Sequence, residues 1–398
     1  MFNQKLLSLC LTLLLVVAFS MTGLAQSSGR NLGLGDDFVT ITGADAIYGN
    51  PAAVNLTPDR FTLELSGAAK GWNNLLTNDY ISESDKDDLL DNDLLGGVNG
   101  NQGAKLIFGP VALVTEVRQS ALVNLPPDVV ELLLAGNEIG KTYDLSGTNG
   151  SGAVYGAGAL NFSTQASDNV VNDWGFDNVH MGFTYQQLGG VIFEVDGTGE
   201  TTIGYDAETG DPIANGNGEF RLKYNEDKVA QGSALDLGVY AQVNDKYNVG
   251  ISILNLGSLA VDGYHYQNYE YDTTDDFSES TEGDSDEQLK WELPSTIRIG
   301  GQMDYSESID IYADYSNTSY HGEQVNHKFA TASELTWLNW LPLRTGLSYS
   351  TLEKQLNWSA GFGLYLGPLQ ADLGVSNLLG LYNQSKGGQA ALTTKIEF

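Results

Sequence analysis

The sequence predicts an all-β chain folded as a transmembrane antiparallel β-barrel of up to about sixteen strands, with short helices in its loops. Three observations carry that prediction: an export-type leader, two-residue alternation of apolar side chains from residue 61 to the end, and turns short on one rim but long on the other. The composition agrees. The 398 residues include 51 acids against 19 bases, a net charge of −32, which argues against a nucleic-acid partner because a phosphate backbone would be repelled. With 41% hydrophobic and 10% aromatic residues, disorder is not expected.

Residues 1–25 read as a signal peptide. Lys5 supplies the charge, Leu6 to Phe19 form an apolar run, and Thr22-Gly23-Leu24-Ala25 places small residues where a signal peptidase reads, so cleavage falls between Ala25 and Gln26. The other reading is a transmembrane anchor, but the run is short and no basic stop-transfer cluster follows. The only cysteine, Cys10, lies in this leader; the exported chain then has no disulfide, thiolate nucleophile or cysteine metal site.

Alternation begins at FTLELSG, where Phe61, Leu63 and Leu65 oppose Thr62, Glu64 and Ser66. It recurs in VHMGFTY (179–185), ALDLGVYA (234–241), YNVGISI (247–253), TIRIGGQM (296–303) and IDIYADY (309–315). It is clearest at the end: Leu343, Leu347, Trp358, Phe362, Leu364, Leu373 and Leu392 oppose Arg344, Ser348, Asn357, Ser359, Asp372, Thr393 and Lys395. Glycines on the polar face (Gly346, Gly361, Gly363, Gly374) suit a curved wall. Because a soluble sandwich also alternates, the turns arbitrate. Gly109-Pro110, Asn244-Asp245-Lys246, 304–307, Trp340-Leu341-Pro342 and Gly367-Pro368 fall on one rim, whereas 68–100, 120–152, 255–294, 316–327 and 377–389 fall on the other. The links 164–178 and 204–217 are longer than this rule allows, and two strands are read as extensions beyond the membrane.

Residues 126–136 predict a loop helix, with Pro127 and Asp128 in its first turn and Gly136 at its stop. Val129, Val130, Leu132, Leu133 and Leu134 are too apolar for a free loop. They either pack on the rim or plug, or form a landing surface for a lipid-like ligand. Residues 79–93 carry seven acids and one lysine, and 268–292 ten acids and one lysine. Neither has calcium-loop spacing. They read as solvated outer faces, or as weak divalent-cation bridges to anionic lipopolysaccharide.

Residues 26–60 precede the first strand, and the motif Asn50-Pro51-Ala52-Ala53 lies near their centre. This segment, with Gly35, Ala46, Asn50, Pro51 and Ala52 in matching places, resembles the N-terminal plug of FadL-like transporters of hydrophobic compounds. A wider stretch (125–163, 293–301, 340–349 and 375–388) is similar to a Bacteroidota family of outer-membrane barrels, a domain of unknown function distantly similar to FadL-like proteins. The resemblance implies about 14 strands over 61–398, a plug over 26–60, an outer-membrane location, and ligand contacts at Asn50, Pro51, Ala52, Val130, Leu133 and Leu134. Phe398 ends the last alternating strand, and a terminal aromatic there looks like the assembly signal of bacterial barrels.

No enzyme and no cofactor are expected. His180, His265, His321 and His327 lack zinc-ligand spacing, no Gly-x-Ser-x-Gly elbow occurs, and Gly33-Leu34-Gly35 follows no strand. Arg298, Asp310, Asp314, Arg344, Asp372, Lys395 and Glu397 read as a lumen face. The expected function is passive uptake or binding of a small hydrophobic compound, the alternative a sealed surface scaffold. Expected partners are outer-membrane lipid and lipopolysaccharide, the barrel-assembly machinery and a hydrophobic small-molecule ligand.

Overall fold

The computed structural model describes residues 27–56, 61–77, 90–136, 138–167, 171, 175–205, 212–272, 275–322, 324–382 and 385–398. The leader with its Ala25–Gln26 junction, and most of the acidic segment 79–93, lie outside the described residues.

Among the described residues, seventeen strands form one antiparallel sheet. In chain order they are β1 (Phe61–Asn73), β2 (Leu94–Phe108), β3 (Val111–Leu125), β4 (Thr142–Asp144), β5 (Asn149–Gln165), β6 (Asn178–Tyr205), β7 (Pro212–Tyr224), β8 (Ala230–Asn244) and β9 (Tyr247–Asp272). There follow β10 (Asp275–Glu292), β11 (Ser295–Ser306), β12 (Ile309–Ser319), β13 (Val325–Leu335), β14 (Leu343–Ser350), β15 (Gln355–Leu366), β16 (Leu369–Ser376) and β17 (Gly387–Glu397). The last strand pairs with the first, Leu63 opposite Ile396, so the wall closes on itself and leaves no edge in lipid. Three strands do not belong to the wall. β4, β7 and β10 pair only with the far ends of β6 and β9, and the remaining fourteen close the barrel. β6 is 28 residues long, roughly 90 Å at a strand's rise. A tilted crossing needs only about 9–11 residues, so its upper part stands clear of any bilayer.

The alternation resolves as expected. Leu65, Leu113, Leu160, Phe183, Ile251, Ile299, Phe329, Leu347, Phe362 and Leu392 are exposed on the outer face, while Glu64, Arg118, Arg298, Asp314, Arg344, Asp372 and Lys395 are buried inside. An outer face of that kind suits hydrocarbon. Phe108, Tyr247, Tyr305, Trp337, Trp340 and Phe398 add exposed aromatic rings near the short-turn rim, the amphipathic girdle of an interface.

Both exceptional links have causes. The 164–178 link stays on the short-turn rim, where Val171 and Phe176 fold back over Val179, Val239 and Ala241. The 204–217 link is the tip between β6 and β7, so it sits on the long-loop side, and residues 206–211 lie outside the described ones.

Candidate functional site

The lumen is built in three storeys, which the inward positions of β6 count off from the short-turn rim: Gly182, Gln186, then Leu188 and Ile192.

The lowest storey is filled by residues 27–56. Ser28 caps a one-and-a-half-turn helix (Gly29–Leu34) by accepting from Asn31 N, and Gly35 ends it with φ 93°, a value that favours glycine. This helix lies against glycines of three wall strands. A Cβ on Gly346 would sit 1.7 Å from Leu34 O, one on Gly361 2.6 Å from Gly33 Cα, and one on Gly374 2.4 Å from Gly29 O. The polar-face glycines read from sequence as curvature are mainly room for this helix. Gly363 instead meets Asp372 and Pro342 of the wall.

Asn50 and Pro51 occupy a second glycine seat. Asn50 Nδ2 donates to Val39 O (2.9 Å) and to Val239 O (3.0 Å) of the wall, and its Oδ1 accepts from Ala52 N at 3.0 Å. Asn161 Nδ2 donates to Pro51 O at 3.1 Å. A Cβ on Gly182 or Gly238 would fall 2.4 Å from Pro51 O or 2.0 Å from Asn50 Oδ1. The structure thus places Asn50, Pro51 and Ala52 together, fully buried, at a joint between plug and wall.

Charge reinforces the seating. Arg30 pairs with Glu334 (2.6 Å), Asp36 with Arg298 (2.9 Å) and Lys328 (3.4 Å), and Asp45 with Lys395. Tyr48 donates to Glu116 at 2.7 Å and accepts from Asn101 at 2.6 Å. Burial alone would raise the Asp36 carboxyl, but Arg298 and Lys328 outweigh it and hold it below the ordinary range. Burial pushes neighbouring Asp37 up to about 6, against the pull of Arg298.

The middle storey is a polar bridge. Arg118 donates to Glu116 (2.8 Å) and Gln186 (2.7 Å), Gln186 donates to Asp236 (2.8 Å), and Asp236 accepts from Asn255 N (2.6 Å). The top storey is apolar. Tyr155, Leu188, Ile192, Leu259, Leu289 and Trp291 are buried in one cluster on the inner side, and the rings of Tyr155 and Trp291 lie 5.9 Å apart.

The loop helix forms at Pro127–Leu134. Val130 is buried, Leu133 half-buried and Leu134 exposed. Tyr143 of β4 donates to Glu131, and Asp144 N donates to Asp128 at 2.7 Å, so the helix is tied to the small β4 strand on the long-loop rim. It shares no cluster with Asn50-Pro51-Ala52. Sequence reasoning missed Tyr155 and Trp291. The signal was present: AVYGAGAL (153–160) is apolar on both of its faces, as a strand buried on both sides is. Phe398 pairs with Phe61 through two backbone hydrogen bonds (3.0 and 3.2 Å), and its ring remains exposed. Among the described residues, no three His, Cys, Asp or Glu side chains are grouped as a metal site.

Residues 72–375 match a family of unknown function, DUF5723. No protein with a curated description matches the sequence. The fold is similar to crystal structures of the toluene transporter TbuX of Ralstonia pickettii (12% identity, TM-score 0.58, covering 96% of this chain and 100% of that one). It is also similar to a FadL homologue of Pseudomonas aeruginosa (12%, 0.56, 94% and 100%) and to the toluene transporter TodX of P. putida (11%, 0.52, 92% and 98%).

Proposed function

The chain belongs to the DUF5723 family of unknown function, and we propose that it is an outer-membrane barrel through which a small hydrophobic compound is taken up. The observation that carries this reading is the apolar top storey. Inward faces elsewhere carry Asp, Glu, Lys and Arg, yet Tyr155, Leu188, Ile192 and Trp291 turn inward above them. A lining made mostly of hydrocarbon and aromatic ring surface suits a ligand that is itself apolar. The likeness in fold to proteins described as toluene transporters supports the same reading.

The ligand comes in from the outer loops beside Val130, Leu133 and Leu134, crosses the apolar storey, and leaves when the joint at Asn50-Pro51-Ala52 gives way. The outward apolar band sits in outer-membrane lipid, the acidic outer loops face lipopolysaccharide, and the strand ending in Phe398 engages the barrel-assembly machinery. Uptake of radiolabelled toluene and oleate by a host lacking its own channels tests this. Deleting residues 26–58 should raise the rate and Leu133→Asp should lower it; rates unchanged by both refute the reading.

One observation favours a second reading, a non-conducting scaffold: the lumen is filled below by the plug and above by packed side chains. A planar bilayer in which neither the full chain nor the plug deletion passes ions or toluene would establish the scaffold.

A further inference from the structure

We propose that the polar bridge of the middle storey is the specificity filter of the route: through Arg118 it receives an apolar compound that carries an uncharged hydrogen-bond acceptor, a carbonyl or hydroxyl oxygen, and it turns carboxylates away; this ligand class rests on the channel reading above.

Arg118 adjoins the apolar storey. Across β3 and β5 it is paired with Tyr155 of that storey, and its head reaches Gln186, the inward position just below Leu188. Only 6% of Arg118 is exposed. Its Nε donates to Glu116 (2.8 Å) and its Nη1 to Gln186 (2.7 Å), with Asn255 Oδ1 3.5 Å away. Its Nη2 makes no hydrogen bond among the described residues, and protein does not enclose that atom completely. Arg344, a buried arginine elsewhere on the wall, has no such vacancy: Nε donates to Glu334, Nη1 to Asp372 and Nη2 to Tyr365. A donor held inside a barrel without a partner costs free energy, so the open amino group of Arg118 marks where an acceptor on a ligand completes the set.

The rest of the bridge holds that guanidinium in place. β9 bulges beside it: Leu235 opposes Leu256 but Leu237 opposes Ile253, so an extra residue faces Asp236. Asn255 adopts φ 58°, a left-handed value uncommon for a non-glycine residue. Its N–H donates to Asp236 at 2.6 Å, and its Oδ1 accepts from Gln186 Nε2 at 3.2 Å. Gln186 Nε2 also donates to Asp236 at 2.8 Å, which leaves the Gln186 oxygen for Arg118. Backbone strain of this kind persists where the surroundings over-determine it. Charge then sets the class of acceptor. Glu116 already neutralises Arg118, Asp236 adds a second carboxylate, and Lys105 is held by Glu64 at 2.6 Å. A ligand carboxylate would enter where carboxylates already outnumber the arginine, and its loss of hydration would find no counter-charge. A carbonyl or hydroxyl oxygen needs only the N–H.

Probes that share a ring and differ in their polar group test this: para-fluorotoluene, para-fluoroacetophenone and para-fluorobenzoate. Binding to the full chain in nanodiscs is read by fluorine NMR at neutral pH, with empty nanodiscs subtracting partition into lipid. The wild-type chain should bind para-fluoroacetophenone roughly tenfold or more tighter than para-fluorotoluene, as one hydrogen bond to a charged donor contributes, and should not bind para-fluorobenzoate. Glu116→Gln leaves Arg118 without its counter-charge and still offers Tyr48 an acceptor. It should therefore bind para-fluorobenzoate at least roughly tenfold more tightly than wild type, a gain that misfolding cannot produce, and adding Arg118→Met should abolish that gain. Equal binding of para-fluorotoluene and para-fluoroacetophenone means that Nη2 serves water alone and overturns the filter, as does para-fluorobenzoate binding unmoved by Glu116→Gln; the channel reading survives both. No binding of any probe overturns the filter and the channel together.

Discussion

Gly346→Ala is the sharpest perturbation of the plug. The added methyl would lie 1.7 Å from the carbonyl oxygen of Leu34, whereas a carbon and an oxygen tolerate about 3.3 Å. The wall strand is paired on both sides, so the plug must retreat by about 1.6 Å. That retreat lifts Leu34 and Phe38 from Tyr312 and Ala332 and stretches the 3.0 Å bond from Lys328 to Gly35 O. Overpacking costs about 1–3 kcal/mol and a lost hydrogen bond about 1 kcal/mol more. Docking should therefore weaken by roughly 2–4 kcal/mol, on the order of 30- to 1000-fold in the undocked population. A thiol at buried position 44, made by Ala44→Cys, reports undocking through its maleimide rate. The matched control is Gly158→Ala, an outward wall glycine whose Cβ would meet nothing within 4 Å. If both glycine variants label alike, the glycine seat does not hold the plug.

Asp45→Asn should free the plug yet spare the barrel, because Lys395 keeps Glu64 at 3.8 Å and Asp372 at 3.9 Å; Lys395→Met should lower the heat needed to unfold the barrel on a gel, by the ~3–5 kcal/mol that follows from stranding buried charges. Asp37 gives a pH dependence whose sign is fixed: its carboxyl, raised by burial to about 6, favours the docked plug when protonated. That contribution is whole below about 4 and lost as pH rises through 6, so labelling at position 44 should accelerate across this window and flatten in Asp37→Asn. Removing Phe398 breaks its two backbone bonds to Phe61 and should reduce the folded, membrane-inserted fraction without changing the heat stability of molecules that do fold by more than about 1–2 kcal/mol.

The barrel was legible because its cause is local and repeated. Every wall strand must turn one side chain to hydrocarbon and the next to the lumen, so Leu343, Leu347 and Phe362 announce their direction without reference to anything distant. Strand number was less legible: 255–294 reads as one long link, yet β9 runs on to Asp272 and β10 covers Asp275–Glu292, and only pairing shows that β7 and β10 ride on β6 and β9. The site was half legible. The sequence singles out Asn-Pro-Ala, but what Asn50 touches depends on Gly182 and Gly238, more than a hundred residues away. Glycines in separate strands become one seat only after the sheet aligns them, Gly182 opposite Gly238 and Gly361 opposite Gly374.

The charges say why the plug can be a separate part. Around half the wall, Lys105, Glu64, Lys395, Asp372, Arg344 and Glu334 alternate in sign, linked at 2.6, 3.8, 3.9, 2.6 and 2.7 Å. The plug adds Asp45 to Lys395 and Arg30 to Glu334, one charge of each sign. Its departure leaves three cations and three carboxylates still paired on the wall, so the usual penalty of stranding a buried ion does not arise on that side. The opposite seat differs. Arg298 and Lys328 lose Asp36, their only ion-pair partner among the described residues, and Asp314 loses its bond from Val39 N. Release should therefore begin at the balanced side and be resisted at Asp36. On that logic Asp36→Asn loosens the plug more than Arg30→Met does, and both leave the barrel folded; an equal effect of the two on labelling at position 44 would mean that the wall's own pairing is irrelevant to how the plug is held.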